Sequence, residues 1–231
     1  LLTTGEQVSV SLMAMALQAM DVPAVSLNGF QVQMKATSRY GNARFKRIDS
    51  ERIMNELDDR KLVIVTGFQG VNKHGDYVTL GRGGSDTTAV ALAAALHADK
   101  CEIYTDVDGV FTADPRVVPN ARKIEEITYD EMLELASSGA KVLHSRSVEL
   151  AKKYGVEMVV RSSLNESEGT TVKEVVKMEK MLITGVASDK NTARISVIGL
   201  EDKPGVAFKV FNRLAKNNIN FYIINATKIA S

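Results

Sequence analysis

Residues Leu62-Val63-Ile64-Val65-Thr66 form an unbroken apolar run that ends at Gly67. A strand with one wet face alternates apolar with polar residues, so a continuous run is the mark of a strand covered on both faces, as in a parallel sheet packed between helices. The surrounding pattern agrees. Apolar residues recur at helical spacing over 5–20, Pro23 marks the stop, and a short strand is expected over 24–27. A helix is expected over 50–58, a loop over 81–86, a buried helix rich in Ala, Val and Leu over 87–98, and a strand over 101–105. Helices over 129–137 and 145–154, the second stopped by Gly155, lead to a strand over 157–161. Strands alternating with helices imply an α/β layered sheet whose ligands sit beyond the carboxyl ends of the strands.

The polar stretch Asn165-Glu166-Ser167-Glu168-Gly169 reads as the end of this domain, with a linker over 166–180. Strands over 183–187 and 194–200, a helix over 206–217 and a strand over 221–225 are expected after it, a β-β-α-β order that cannot close a ferredoxin-like unit by itself. The chain begins without methionine and stops just after an apolar run, so both ends read as cut.

Composition narrows the partners. Lys+Arg 29 against Asp+Glu 28 leaves a net charge of +1 without a block of either sign, which points to small molecules and away from nucleic acid. No apolar run approaches the roughly 20 residues of a membrane span, and no basic signal segment opens the chain, so a cytoplasmic protein is expected. The one cysteine, Cys101, reads as a small buried hydrophobe. His74, His97 and His144 lack metal spacing and receive no role, and no metal ligands are assigned. Met13, Met15 and Met20 fall at helical spacing and read as core filling.

Three segments carry chemistry. In Gly81-Arg82-Gly83-Gly84-Ser85-Asp86-Thr87-Thr88 the glycines admit close approach of a ligand to backbone N–H groups at a helix N-terminus, a place for an anion. A tight turn capped by Ser85 or Asp86 would use the same glycines, but Arg82 favours a bound carboxylate or phosphate. The spacing is not that of a Walker loop. The second segment, Tyr104-Thr105-Asp106-Val107-Asp108-Gly109-Val110-Phe111-Thr112-Ala113-Asp114-Pro115-Arg116, leaves a strand with carboxylates, aromatic rings and an arginine at the ligand edge. The third, Gly139-Ala140-Lys141-Val142-Leu143-His144, sets a lysine where a loop meets a helix. On spacing alone Lys141 is a solvated surface residue, and Glu6 complements a helix dipole.

Taken together, Thr4-Gly5-Glu6, Gly67-Phe68-Gln69-Gly70, residues 80–88, 101–116 and 131–141, and Val160-Arg161-Ser162-Ser163 resemble the aspartate kinases of the amino-acid kinase family over nearly the whole chain. The resemblance implies a three-layer αβα sandwich with a mainly parallel sheet, its C-terminal part spanning 1–165, and an incomplete ACT regulatory domain over 181–231. It implies transfer of the ATP γ-phosphoryl group to the β-carboxylate of L-aspartate with Mg²⁺. Catalysis falls to Arg82 and Asp86; Glu6, Arg82, Gly83, Gly84, Ser85 and Asp86 bind substrate; and Ser85, Thr105, Asp106, Phe111, Arg116, Lys141 and Val142 surround ATP. The loop Asp202-Lys203-Pro204-Gly205 resembles an effector loop for lysine or threonine, and a complete ACT region implies a homo-oligomer. A kinase for glutamate or N-acetylglutamate, or a non-catalytic sensor of amino acid and nucleotide, is the alternative. Two departures stand out. The family's opening Lys-Phe-Gly-Gly-Thr-Ser segment is not in the sequence, so this chain by itself is expected to be nearly inactive, and Ser145 replaces a common proline, which should loosen its turn.

Overall fold

The computed structural model describes residues 1–175, 183–189, 197, 203 and 205–217. It divides into two compact units, 1–188 and 189–231. In the first, helices α1 (Thr4–Gln18), α2 (Glu51–Asp58), α3 (Gly84–Leu96), α4 (Tyr129–Ser137) and α5 (Ser145–Tyr154) alternate with ten short strands.

Three sheets form among the described residues. Strands β1 (Ala24–Leu27) and β4 (Leu62–Val65) pair in parallel, Ala24 opposite Leu62. Strand β7 (Cys101–Thr105) pairs in parallel with β9 (Met158–Ser162), which continues through β10 (Thr170–Lys173) to β8 (Glu126–Thr128). A third sheet joins β3 (Phe45–Arg47), β2 (Lys35–Ala36), β5 (Gln69–Val71) and β6 (Tyr77–Thr79). The last sheet was not anticipated: its strands are two or three residues long and carry no alternation that a periodicity argument could find.

The main core lies between α3, α4, α5 and the β7 sheet, where Val90, Ile103, Met132, Val148, Met158 and Val160 pack together. Each fully buried side chain of this kind contributes roughly 1.5–3 kcal/mol. Smaller clusters form around Leu27, Val32, Met34 and Ile53, and around Ala36, Ala43, Val78 and Leu80. Cys101 is buried as expected, and burial pushes its thiol up to about 11.

Several expectations are corrected. Strand β4 is only partly covered: Leu62 is exposed and residues 63–65 are half-buried, although α1 and α2 both pack against the strand. Met13 and Met15 are exposed, since α1 buries only Ala14 while it packs along β1 and β4, and Met20, in the turn past the end of α1, is exposed as well. Helical spacing records a periodic face, not what covers it. Helix α3 begins at Gly84, three residues before the expected start, because Gly83 takes the left-handed conformation (φ 64°) and serves as N-cap. Residues 183–187, expected as a strand, belong to no named strand.

In the second unit, α6 (Val206–Lys216) follows Gly205, whose φ of 88° suits a glycine before a helix. The expected strand over 221–225, that over 194–200 apart from residue 197, and Asp202 and Pro204 lie outside the described residues. No helix among the described residues is long and apolar enough to cross a membrane.

Candidate active site

The glycine loop is built by backbone needs. Gly81 (φ 84°) and Gly83 (φ 64°) both occupy the left-handed region, where other residues are strained. A Cβ on Gly83 would lie 2.3 Å from the Cβ of His144. Gly84 has no room either, since its Cβ would meet Phe68 at 2.9 Å. Helix α3 is then tied to the β4 end by Thr88, whose hydroxyl donates to the Gly84 carbonyl (2.7 Å) and accepts from the Phe68 N–H (3.1 Å). Neither Ser85 nor Asp86 caps the helix, so the two side chains stand in its first turn free of that duty.

This arrangement gathers residues distant in sequence. Glu6 from α1, Gly67 at the end of β4, and Ser85 and Thr88 of α3 line one cavity of about 360 Å³ whose remaining wall is apolar. Beside it, the Thr66 hydroxyl and the Gln69 side-chain N–H group are buried without a partner among the described residues. Arg82 is exposed on the loop and Asp86 is partly buried. Burial pushes the Asp86 carboxyl above the ordinary carboxylate range, against the His144 backbone N–H that donates to it and the His144 charge.

The second segment forms a hairpin stem. Thr105, at the end of β7, offers its hydroxyl to Asp106 (3.1 Å) and its carbonyl to the Ser163 N–H (2.8 Å). The fully buried Thr170 hydroxyl accepts from the Val110 N–H (2.8 Å) and donates to the Ile124 carbonyl (2.5 Å), and Phe111 bridges to Lys123. The loop beyond carries Arg116, clamped by Asp114 at 3.0 and 2.9 Å. Asp114 is therefore an arginine holder as well as a chain break, and the guanidinium keeps its carboxyl below the usual range. Arg116 remains largely exposed and can still face an anion.

In the third segment Lys141 is exposed, and Val142 packs against the main core. At the turn before Ser145 the His144 ring nitrogen accepts from the Arg146 N–H (3.3 Å), and Ser147 donates its hydroxyl to the His144 carbonyl (2.7 Å). The sequence assigns His144 no role and does not single out Arg146. Arg146 donates to the carbonyls of Leu80 (2.8 Å) and Ala43 (2.9 Å) and to the Asn42 side chain (3.3 Å), bracing the strand that leads into Gly81. Nothing in the local sequence announces either role, because both depend on contacts across the fold.

The α3 N-terminus opens on this cavity, with an exposed arginine on the loop just before it, and such a helix end is a place where an anion can be held. The amino acid kinase family pattern matches residues 1–162, and the chain belongs to that family. It is 55% identical over 230 residues to an aspartokinase of Geobacillus stearothermophilus, covering 98% of this chain and 56% of that protein. It is similar in structure to E. coli aspartokinase III in complex with aspartate and ADP (TM-score 0.81, 33% identity, 97% of this chain and 51% of the other). It is also similar to the same enzyme in complex with lysine and aspartate (TM-score 0.71, 31% identity, 97% and 52%). The chain spans about half the length of the relatives it matches.

Proposed function

We propose that this chain carries the aspartate site and part of the ATP site of an aspartate kinase. The observation that supports the reading is the cavity lined by Glu6 of α1 and by Ser85 in the first turn of α3, the helix that opens directly from the loop carrying Arg82 and contains Asp86. The aspartate and ADP held by the structurally similar E. coli enzyme support it.

In the proposed reaction a β-carboxylate oxygen of L-aspartate forms a bond to the γ-phosphorus of ATP as the bond to the β-phosphate bridging oxygen breaks, giving 4-phospho-L-aspartate and ADP. No proton need move and no enzyme atom bonds to substrate. Positioning and charge stabilisation therefore carry the catalysis. Arg82 and the N–H groups of the first turn of α3 hold the substrate carboxylate, Glu6 meets its ammonium group, and Asp86 helps orient it. Phe111, Arg116 and Lys141, with Thr105, Asp106 and Val142, form the nucleotide side. Mg²⁺ is read as the ion that accompanies ATP, held mainly by the phosphates and water. Bound Mg²⁺ supplies neutralisation of phosphate charge.

Residues 181–231 are read as the start of an ACT domain, with lysine or threonine as effector of the whole protein; the lysine bound by the E. coli enzyme supports the first. Calorimetric titration of Arg82→Ala and Lys141→Ala tests the site. Arg82→Ala weakens aspartate binding about tenfold or more with ATP binding retained, the worth of one charge-assisted contact, and Lys141→Ala does the reverse. Equal losses for both ligands in both variants defeat the assignment.

A further inference from the structure

Residues 184–187 follow the kinase-family region of the chain, yet they return to the stem of the 110–124 hairpin. The Val186 N–H donates to the Thr112 carbonyl (2.8 Å). Thr112 already faces Arg122 with its other groups: its N–H donates to the Arg122 carbonyl (2.9 Å), and its hydroxyl accepts from the Arg122 N–H (3.1 Å). Thr184 donates its hydroxyl to Glu131 Oε1 (2.6 Å), while Glu131 Oε2 accepts from the Thr128 N–H (3.0 Å) in the capping box of α4. Between these two anchors Gly185 passes so closely that a Cβ would stand 3.2 Å from the Thr112 carbonyl oxygen and 3.3 Å from Leu135. Ala187 then packs on the main core.

The hairpin is thus held from two sides. Thr170 stitches its base through Val110 and Ile124, and residues 184–187 hold the opposite backbone edge at Thr112, one residue from Phe111 and ahead of the loop with Arg116. We infer that Thr184, Gly185 and Val186 are positioning residues for nucleotide binding: they touch no reacting group but fix the register of the hairpin that presents Phe111 and Arg116. Glu131 gives this rail a rigid post, since its carboxylate is already oriented by the α4 cap. The nucleotide part of the inference rests on the proposed role of Phe111 and Arg116; the mechanical part does not.

Hydrogen exchange and calorimetry on the whole chain separate the two. Thr184→Val removes the donor at constant shape, Thr184→Ser keeps it, and Gly185→Val pushes the segment off Thr112. In Thr184→Val and Gly185→Val, amides over 111–123 exchange about fivefold faster or more and ATP binding weakens by a similar factor, as for the loss of one hydrogen bond. Aspartate affinity stays within about twofold, and Thr184→Ser restores ATP binding. Unchanged exchange over 111–123 overturns the inference, as does parallel loss of both ligands with faster exchange throughout the unit. A wild-type chain that binds no ATP sinks the nucleotide role of Phe111 and Arg116, and the exchange result then judges the rail by itself.

Discussion

Arg146 Nη1 donates to the Leu80 carbonyl at 2.8 Å, one residue ahead of the glycine loop. The same guanidinium holds the Ala43 carbonyl and the Asn42 side chain, and burial lowers its basicity. Three acceptors share one cation without a carboxylate among these contacts, so truncation strands the carbonyls of buried Leu80 and Ala43, while exposed Asn42 can turn to water. Arg146→Met is expected to cost about 2–3 kcal/mol in urea unfolding and to weaken aspartate binding through the displaced loop, with Arg146→Lys intermediate. A variant as stable as wild type would show that solvent replaces these bonds.

Asp86 makes stability depend on pH with a definite sign. Its folded carboxyl titrates above the ordinary range because of burial, so between the unfolded and the raised folded value the folded chain binds more protons. Stability contributed by the neutral form is present below the unfolded value and is lost as pH rises through the folded one. Asp86→Asn keeps an acceptor for the His144 N–H and removes the titration. Its urea midpoint should exceed that of wild type at neutral pH and converge with it in acid; an unchanged difference across pH would refute the assignment. Measured in the full-length kinase, phosphoryl transfer should be lost in the same variant.

Thr170 is fully buried and serves the Val110 N–H and the Ile124 carbonyl at once. Thr170→Val leaves both without that partner and should cost roughly 1–3 kcal/mol. Beside it, Gly109→Ala puts a Cβ 2.6 Å from the Thr170 hydroxyl at φ 141° and should cost at least as much. Thermal unfolding of both variants checks the order, and Thr170→Ser, which keeps the hydroxyl, should lie closest to wild type.

Gly83→Ala combines a left-handed φ with a Cβ 2.3 Å from that of His144. The left-handed backbone alone costs about 1 kcal/mol or more for a residue with a Cβ, and the clash adds to it. Calorimetric melting should show the largest loss of any single glycine-loop substitution tested; a melting point within a degree or two of wild type would mean that α5 can yield.

Helix α5 ran from 145 to 154 in the sequence reading and in the structure, because a cap, a periodic face and Gly155 all act locally. Helix α2 was legible within one residue, although Ser50 makes no side-chain cap and no glycine follows it. The α3 start was missed because Thr87 and Thr88 looked like the first helical residues, whereas the conformation of Gly83 sets the boundary. The exposed methionines of α1 and the partly open β4 were misread for one physical cause: apolarity states a need for cover without naming the cover. At the site, the glycine loop announced itself through residue types that few other settings demand. His144 and Arg146 did not, since a backbone N–H donated to Asp86 and a guanidinium over three oxygens leave no pattern along the chain.

The filled space over Gly83 has an evolutionary corollary. The imidazole of His144 occupies the volume that any side chain at position 83 would need, so the two positions form a lock and its ward. In any descendant of this chain a residue larger than glycine at the first should be tolerated only where the second has itself become glycine or its backbone has moved away, because the nearest clash is with the His144 Cβ that every other residue keeps.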